Sequence, residues 1–252
     1  EFIIVMQKNK FFGIIPARWG STRFPGKPLH PIAGKPLIQH AWERAMESDL
    51  LNEVIIATDD QKIEAAVKNF GATVTLTSDS HQSGTDRIAE AVESHQNCTH
   101  IINIQGDEPL IDPRLIDELC VKMSERPEIC MITAASLIKD NLDLANPNVV
   151  KTVIDKENNA IYFSRSLIPY QTSESPAAPC YRHKGIYGYT KEFLLKFVRW
   201  DPSPLELTES LEQLRALENG EKIKVIITED ESIGVDTPDQ ATYVEKQILA
   251  ES

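Results

Sequence analysis

Residues 11–29 read FFGIIPARWGSTRFPGKPL. The first seven form an apolar run, and the next twelve form a loop rich in Gly, Pro and positive charge. An apolar run of that length reads as a buried strand. Downstream, Leu37, Ile38, Ala41, Trp42, Ala45 and Met46 share one helical face. A second strand is expected over 53–58, then a helix over 60–70 ended by Gly71 at a C-cap position. A third strand at 73–77, a helix around 85–95 and a fourth strand at 100–105 follow. Asp112-Pro113 then supplies an N-cap with proline at the first helical position. Strand and helix alternating in this way argue for an α/β fold, a mostly parallel, Rossmann-like sheet with helices on both faces.

The alternation breaks after about residue 130. Strands are expected at 129–138, 149–154 and 160–164, the last two joined by a polar turn at 156–159. A Pro/Ser-rich loop at 169–179 leads to a strand at 185–190. Helix 205–218, strand 222–228 and helix 238–250 close the chain. Residues 1–252 thus read as one domain, with a β-rich extension at about 130–190.

The 252 residues carry 26 Lys+Arg against 38 Asp+Glu, a formal net charge of −12. That acidity argues against a duplex nucleic-acid binder, which needs a basic face. It also makes any local cluster of cations informative. No apolar run approaches the 18 residues or so of a membrane span, so no membrane insertion is expected. Residues 1–5 lack the features of a signal peptide, and Met6 is read as the native start. Cys98, Cys120, Cys130 and Cys180 are scattered without C-x-x-C spacing. They read as reduced thiols of a cytoplasmic protein, with neither zinc nor disulfides implied.

The loop after the first strand leaves the sheet at the edge where open α/β folds bind ligands. Arg18, Arg23 and Lys27 supply cations, and Ser21 and Thr22 hydroxyls. Gly20 and Gly26 allow backbone N–H groups to approach phosphate oxygens. The pattern is not a Walker A loop: the second glycine comes one residue late, and Pro28 stands where Ser or Thr would hold magnesium. The competing view is a solvated basic surface loop. No G-x-G-x-x-G follows the first strand, which disfavours a dehydrogenase.

Asp107, in Gln105-Gly106-Asp107-Glu108-Pro109 at the end of the fourth strand, is placed to bind a divalent cation bridging phosphates. Asp236, in Gly234-Val235-Asp236-Thr237-Pro238, is alone best read as a helix cap. Paired with Asp107 it reads as a second metal ligand. Ser83-Gly84-Thr85-Asp86-Arg87 sits at a helix start and reaches either a nucleoside or only its own caps. Arg165 is a clamp for a substrate carboxylate or a surface ion pair. His183 and Tyr187 share one strand face by period-two alternation. Glu206, Glu209 and Glu212 look mostly like a solvated helix face, with one turned inward.

Together these segments resemble the 3-deoxy-manno-octulosonate (Kdo) cytidylyltransferases along nearly the whole chain. The markers are PARWGSTRFPGKPL (16–29), ATDD (57–60), HQSGTDR (81–87), NIQGDEP (103–109), YFSRSLIP (162–169), RHKGIYGY (182–189), PSPLELTESLEQLR (202–215) and GVDTP (234–238). Each is weak alone; as a set they are highly specific. Trp19-Gly20 departs from the family, many of whose members have a small or aromatic residue followed by Ala. The resemblance implies CTP + Kdo → CMP-Kdo + pyrophosphate, magnesium-dependent, in a cytoplasmic homodimer serving lipopolysaccharide assembly. Sialic acid or 8-amino-Kdo is the alternative acceptor, and a non-catalytic nucleotide-binding protein the distant one. By motif, Ala17, Arg18, Ser21, Arg23 and Lys27 would bind the triphosphate. Gln82, Ser83, Arg87 and Gln105 would lie near the cytidine, and Asp107 and Asp236 would hold magnesium. Gln105, Arg165, His183, Tyr187 and Glu209 would line the sugar-acid pocket. Lys27, Asp107, Asp236 and Arg18 are the expected catalytic set.

Overall fold

The computed structural model describes residues 9–20, 24–172, 178–230 and 232–251. The chain divides into two compact units, residues 1–125 with 232–252, and residues 126–231. The β-rich stretch expected at about 130–190 lies inside the second.

In the first unit, β1 (Phe11–Ala17) is buried at every position but Pro16. Burial on both faces is what a continuous apolar run dictates in a parallel sheet. A 3₁₀ turn (Lys27–Leu29) and a small hairpin of β2 (Pro31–Ile32) and β3 (Lys35–Pro36) follow. Then come α1 (Leu37–Met46), β4 (Leu51–Thr58), α2 (Gln61–Asn69), β5 (Thr73–Leu76), α3 (Gly84–Glu93), β6 (His100–Asn103) and α4 (Pro113–Glu125). The strands lie in the order β6-β1-β4-β5, all parallel, with Ile14 opposite Ile55 on one side and Asn103 on the other. Local signals start and stop α2, Asp60 as its N-cap rather than its first residue. Asp60 Oδ1 accepts from the N–H groups of Lys62 and Ile63 at 2.7 and 3.1 Å. Gly71 follows α2 at φ 84°, a left-handed conformation that glycine adopts without a Cβ penalty.

The second unit contains β7 (Met131–Leu137), α5 (Asn141–Ala145), β8 (Lys151–Ile154), β9 (Ala160–Ser164), β10 (Tyr181–Thr190), α6 (Lys191–Phe197), α7 (Pro204–Glu209), α8 (Leu214–Glu218) and β11 (Lys224–Ile227). Here β7 is flanked by β11 in parallel and β10 antiparallel, and β8 pairs antiparallel with both β10 and β9. The last helix, α9 (Pro238–Glu251), returns to the first unit.

Two expectations need correction. The helix expected over 205–218 is two short helices broken at Ser210, which has φ 52°. Leu211 N–H bonds back to the Glu206 carbonyl at 3.1 Å, ending α7. A left-handed non-glycine residue costs roughly 1–2 kcal/mol; the side-chain bonds of Glu206 and Glu209, described below, offset it. The strand expected at 185–190 begins at Tyr181. Arg182 and Lys184 broke the apolar signal there, yet each has an acidic partner, Asp143 and Asp230 respectively.

Candidate active site

In the first unit, the loops leaving β1, β5 and β6 open on a cavity of about 360 Å³. Ala17, Arg18, Lys27, Gln82, Ser83, Arg87, Gln105, Asp107 and Asp236 all line it. The structure therefore brings these nine expected residues together. Ser21 and Arg23 lie outside the described residues.

Local backbone explains the convergence. Gly26, at φ 70°, begins the 3₁₀ turn that carries Lys27. Its N–H donates to the Trp19 carbonyl at 3.3 Å, and a Cβ there would lie 3.2 Å from the Trp19 ring. The Lys62 ammonium sits 4.7 Å from that ring's centroid, a cation–π contact. At Gly106 a Cβ would lie 3.2 Å from Ile15 Cγ2 and 3.4 Å from the Pro16 carbonyl oxygen. Glycine thus lets the loop after β6 press against the end of β1.

Asp236 arrives through apolar packing. Phe24, Ile32, Leu37, Val235, Ala241 and Val244 form one buried cluster, with Leu110, Ile233 and Ile248 packed against it. Burying side chains of this size stabilises by roughly 1.5–3 kcal/mol each, enough to fix the C-terminal segment beside the loop. Val235 N–H then donates to the Asp107 carbonyl at 2.8 Å. Thr237, rather than Asp236, caps α9, its Oγ1 accepting from Gln240 N–H at 3.3 Å. The Asp236 carboxylate is turned to Lys27 instead.

Lys27 Nζ lies 2.6 Å from Asp107 Oδ2 and 3.1 Å from Asp236 Oδ1. One ammonium thus faces two carboxylates. Two carboxylates side by side offer the hard oxygen donors that suit a divalent cation such as magnesium. Among the described residues no group of three or more His, Cys, Asp or Glu forms a self-sufficient metal site.

Ser83 caps α3, its Oγ accepting from Asp86 N–H at 3.1 Å while Asp86 Oδ2 accepts from Ser83 N–H at 3.2 Å. So Ser83 both borders the cavity and closes a capping box. Arg87 is buried, its guanidinium donating to Thr77 Oγ1 at 2.6 Å and Asp59 Oδ2 at 2.7 Å. Asp59 was not singled out from the sequence; two acids directly after a strand's C-terminal end were the available signal. His81, also on the cavity wall, pairs with Glu90, whose Oε2 accepts from Ser78 N–H as well.

The second unit holds Arg165, His183, Tyr187 and Glu209. Glu209 Oε1 accepts from Ser164 Oγ at 2.6 Å and Oε2 from Arg165 N–H at 2.9 Å. The Arg165 guanidinium donates to the carbonyls of Glu209, Pro147 and Ser210 at 2.8, 3.2 and 3.3 Å. Carbonyl partners orient this cation without neutralising it.

The rings of His183 and Tyr187 lie 5.3 Å apart, and Phe163 stacks edge-on to His183 at 5.0 Å. They share a face although β10 is bulged between Lys184 and Tyr187. His183 opposes Ala135 and Tyr187 opposes Thr133, so two extra residues preserve the alternation. Thr133 Oγ1 lies 2.7 Å from the Ile186 carbonyl and 3.1 Å from His183 Nε2. With the hydroxyl proton given to that carbonyl, Nε2–H of His183 donates to Oγ1. Burial pushes the Tyr187 phenol well above its usual range, and the negative charge of Glu212 adds to this. All three of Glu206, Glu209 and Glu212 thus face inward partners rather than forming a solvated face. Glu206 is buried in an ion pair with Arg215.

Burial lowers the His183 pKa to about 3 and that of His100 to about 4. Below pH 6.5 the unfolded chain binds protons at these sites that the folded chain refuses, so acidification favours unfolding. Stability is expected to fall between pH 6.5 and about 3, and His183→Gln to flatten that fall. Urea midpoints at pH 7 and pH 5 test this; an unchanged difference in the variant refutes the assignment.

Known proteins resemble this chain along nearly its whole length. The family model described as "Cytidylyltransferase" matches residues 12–223. The 3-deoxy-manno-octulosonate cytidylyltransferase of Geobacter sulfurreducens is 49% identical over 241 residues, covering 92% of this chain and 96% of that protein. The protein of the same name from Solibacter usitatus is 49% identical over 242 residues, covering 96% of each. A solved CMP:2-keto-3-deoxy-manno-octonic acid synthetase, complexed with CTP, superposes with a TM-score of 0.92 at 39% identity, covering 97% of this chain and all of that one. At such identity over nearly the full length, the chain belongs to the 3-deoxy-manno-octulosonate cytidylyltransferase family.

Proposed function

We propose that the protein transfers the cytidylyl group of CTP to Kdo, releasing pyrophosphate, with magnesium as cofactor. The observation that carries this reading is the Lys27 bridge between Asp107 and Asp236 at a cavity bordered by the basic loop. The names of the relatives and the CTP in the related solved structure support the choice of nucleotide and acceptor.

The first unit binds the nucleotide. Arg18, Lys27, Arg23 and Ser21 receive the triphosphate, and Gln82, Ser83, Arg87 and Gln105 the cytidine side. Arg87, already engaged by Asp59 and Thr77, shapes that wall rather than donating its charge. The second unit binds the sugar acid: the carboxylate meets the Arg165 guanidinium, which has no acidic partner among the described residues. His183 and Tyr187, both neutral at working pH, offer hydrogen bonds to sugar hydroxyls, and Glu209 holds Arg165 in place.

The anomeric 2-hydroxyl oxygen attacks the α-phosphorus while the bond to the pyrophosphate oxygen breaks in line. Both reactants are anionic, so the cations of the loop offset a repulsion that otherwise opposes approach. Asp107 and Asp236 would hold magnesium, which when bound neutralises phosphate charge and lowers the pKa of the attacking hydroxyl. No side chain is then required as a general base.

Among the described residues no helix is long and apolar enough to cross a membrane, and all four cysteines are free thiols. The resemblance to the Kdo cytidylyltransferases is what implies a cytoplasmic enzyme supplying lipopolysaccharide assembly. The same resemblance implies a homodimer. The test is pyrophosphate release with CTP and Kdo, against controls without sugar and with ATP, GTP or UTP. Release only with CTP plus Kdo is expected. Faster release with 8-amino-Kdo or a sialic acid overturns the choice of acceptor, and none with any sugar acid overturns catalysis.

A further inference from the structure

A lysine that the mechanism above does not use is among the most deeply buried side chains of the second unit. Lys151, at the start of β8, is fully buried, although lysine is almost never fully buried without a partner. Its Nζ donates to three backbone carbonyls: Asn146 at 3.0 Å, Val149 at 2.8 Å and Arg165 at 2.5 Å. Among the described residues no carboxylate lies within ion-pair distance of it.

These three acceptors are not a random set. Asn146 and Val149 bracket Pro147, and the Pro147 carbonyl receives Nη1 of Arg165. The third acceptor is the carbonyl of Arg165 itself. One ammonium therefore fixes both the backbone that carries the guanidinium and the turn that orients it. The electrostatics agree: burial pulls the Lys151 pKa down, the charge of Glu209 pulls it back up, and that of Arg165 lowers it. All three charges thus act on one another.

We propose that Lys151 is a positioning residue of the sugar-acid half-site, its buried ammonium clamping Arg165 and the 146–149 turn into the geometry that receives the substrate carboxylate. The inference rests on the assignment of Arg165 to the sugar acid. Without the ammonium, three backbone carbonyls lose their shared donor and the turn loses its anchor. Arg165 keeps its charge but not its aim. The consequence falls on sugar-acid binding, while the nucleotide cavity, built entirely from the first unit, is untouched.

The experiment is steady-state kinetics of Lys151→Met, Arg165→Met and the double variant. Leu194→Ala, a buried position in α6, serves as a destabilised control in the same unit. Loss of one charge-assisted hydrogen-bond network predicts a rise of about tenfold or more in the KM for Kdo in Lys151→Met, with the KM for CTP changed less than about twofold. In the double variant Lys151→Met adds nothing to Arg165→Met, because it acts through that residue. Lys151→Gln, whose amide can donate to two of the carbonyls, gives a smaller rise in the same direction and serves if Lys151→Met does not fold. An Arg165→Met enzyme with normal KM for Kdo overturns the sugar-acid assignment itself, and this inference with it. A normal Arg165→Met effect overturns the inference alone if Lys151→Met is silent, adds fully in the double variant, or matches Leu194→Ala.

Discussion

Asp107→Asn is expected to lower turnover by about a thousandfold or more, while CTP affinity stays within about tenfold of the parent, because the lost charge matters most when phosphate bonds rearrange. Asparagine keeps the shape of the side chain at the end of the β6 loop. The backbone bond from Val235 N–H to the Asp107 carbonyl does not involve the side chain, so Asp236 stays where it is. What changes is charge: Lys27 is left facing one carboxylate instead of two. A cavity with one acid fewer accepts the triphosphate readily but can no longer hold a divalent cation by two acids. Calorimetry with CTP, together with pyrophosphate release at saturating CTP and Kdo, separates the two effects. Turnover near that of the parent at working magnesium would refute Asp107 as a metal ligand. A loss confined to CTP binding would make it a nucleotide-orienting group instead.

Half of this arrangement is legible in the amino-acid order and half is not, for a physical reason. β1 is read directly because burial on both faces demands an unbroken apolar run, and residues 11–17 supply one. The loop that follows is read just as directly, since its cations and glycines are contiguous. Asp107 at a strand's end is legible from position alone. Asp236 is not: it meets Lys27 across 209 residues of chain, and only the packing of Val235, Ala241 and Val244 against Phe24 and Leu37 brings it there. Its local context, an acid before Thr-Pro and a helix, reads as a cap, a role that Thr237 in fact takes. Glu206, Glu209 and Glu212 misled in the opposite sense. Their spacing is that of a solvated helix face, and a left-handed serine between them is not encoded by any glycine or asparagine. Lys151 was hidden because its three partners are carbonyls, which leave no trace in side-chain patterns.

Glu206→Ala is expected to destabilise the protein by about 3–5 kcal/mol, the usual cost of leaving one member of a buried ion pair alone. Against a total stability of about 5–15 kcal/mol for a folded domain, that is a large fraction. The pair is almost wholly buried: Arg215 Nε donates to Glu206 Oε2 at 2.7 Å and Nη2 to Oε1 at 2.5 Å. The same Oε2 accepts from Ser203 N–H at 3.0 Å, so one carboxylate both neutralises Arg215 and starts α7. Removing it leaves a guanidinium in a low-dielectric site, over the Phe197 ring at 4.9 Å, with the more distant Glu212 at 3.8 Å as a weaker counter-charge. Chemical denaturation measures the loss. The double variant Glu206→Leu with Arg215→Leu distinguishes the cause, because replacing both charges by apolar groups removes the orphan and is expected to recover most of the stability. A single variant that unfolds at the parent's midpoint would show the pair to be dispensable. The functional consequence follows from the chain. α7 ends at Glu209, whose carboxylate holds Ser164 and the Arg165 backbone. Loosening its first turn therefore reaches Arg165, so the KM for Kdo should rise in Glu206→Ala even at temperatures where the protein remains folded, while CTP binding persists.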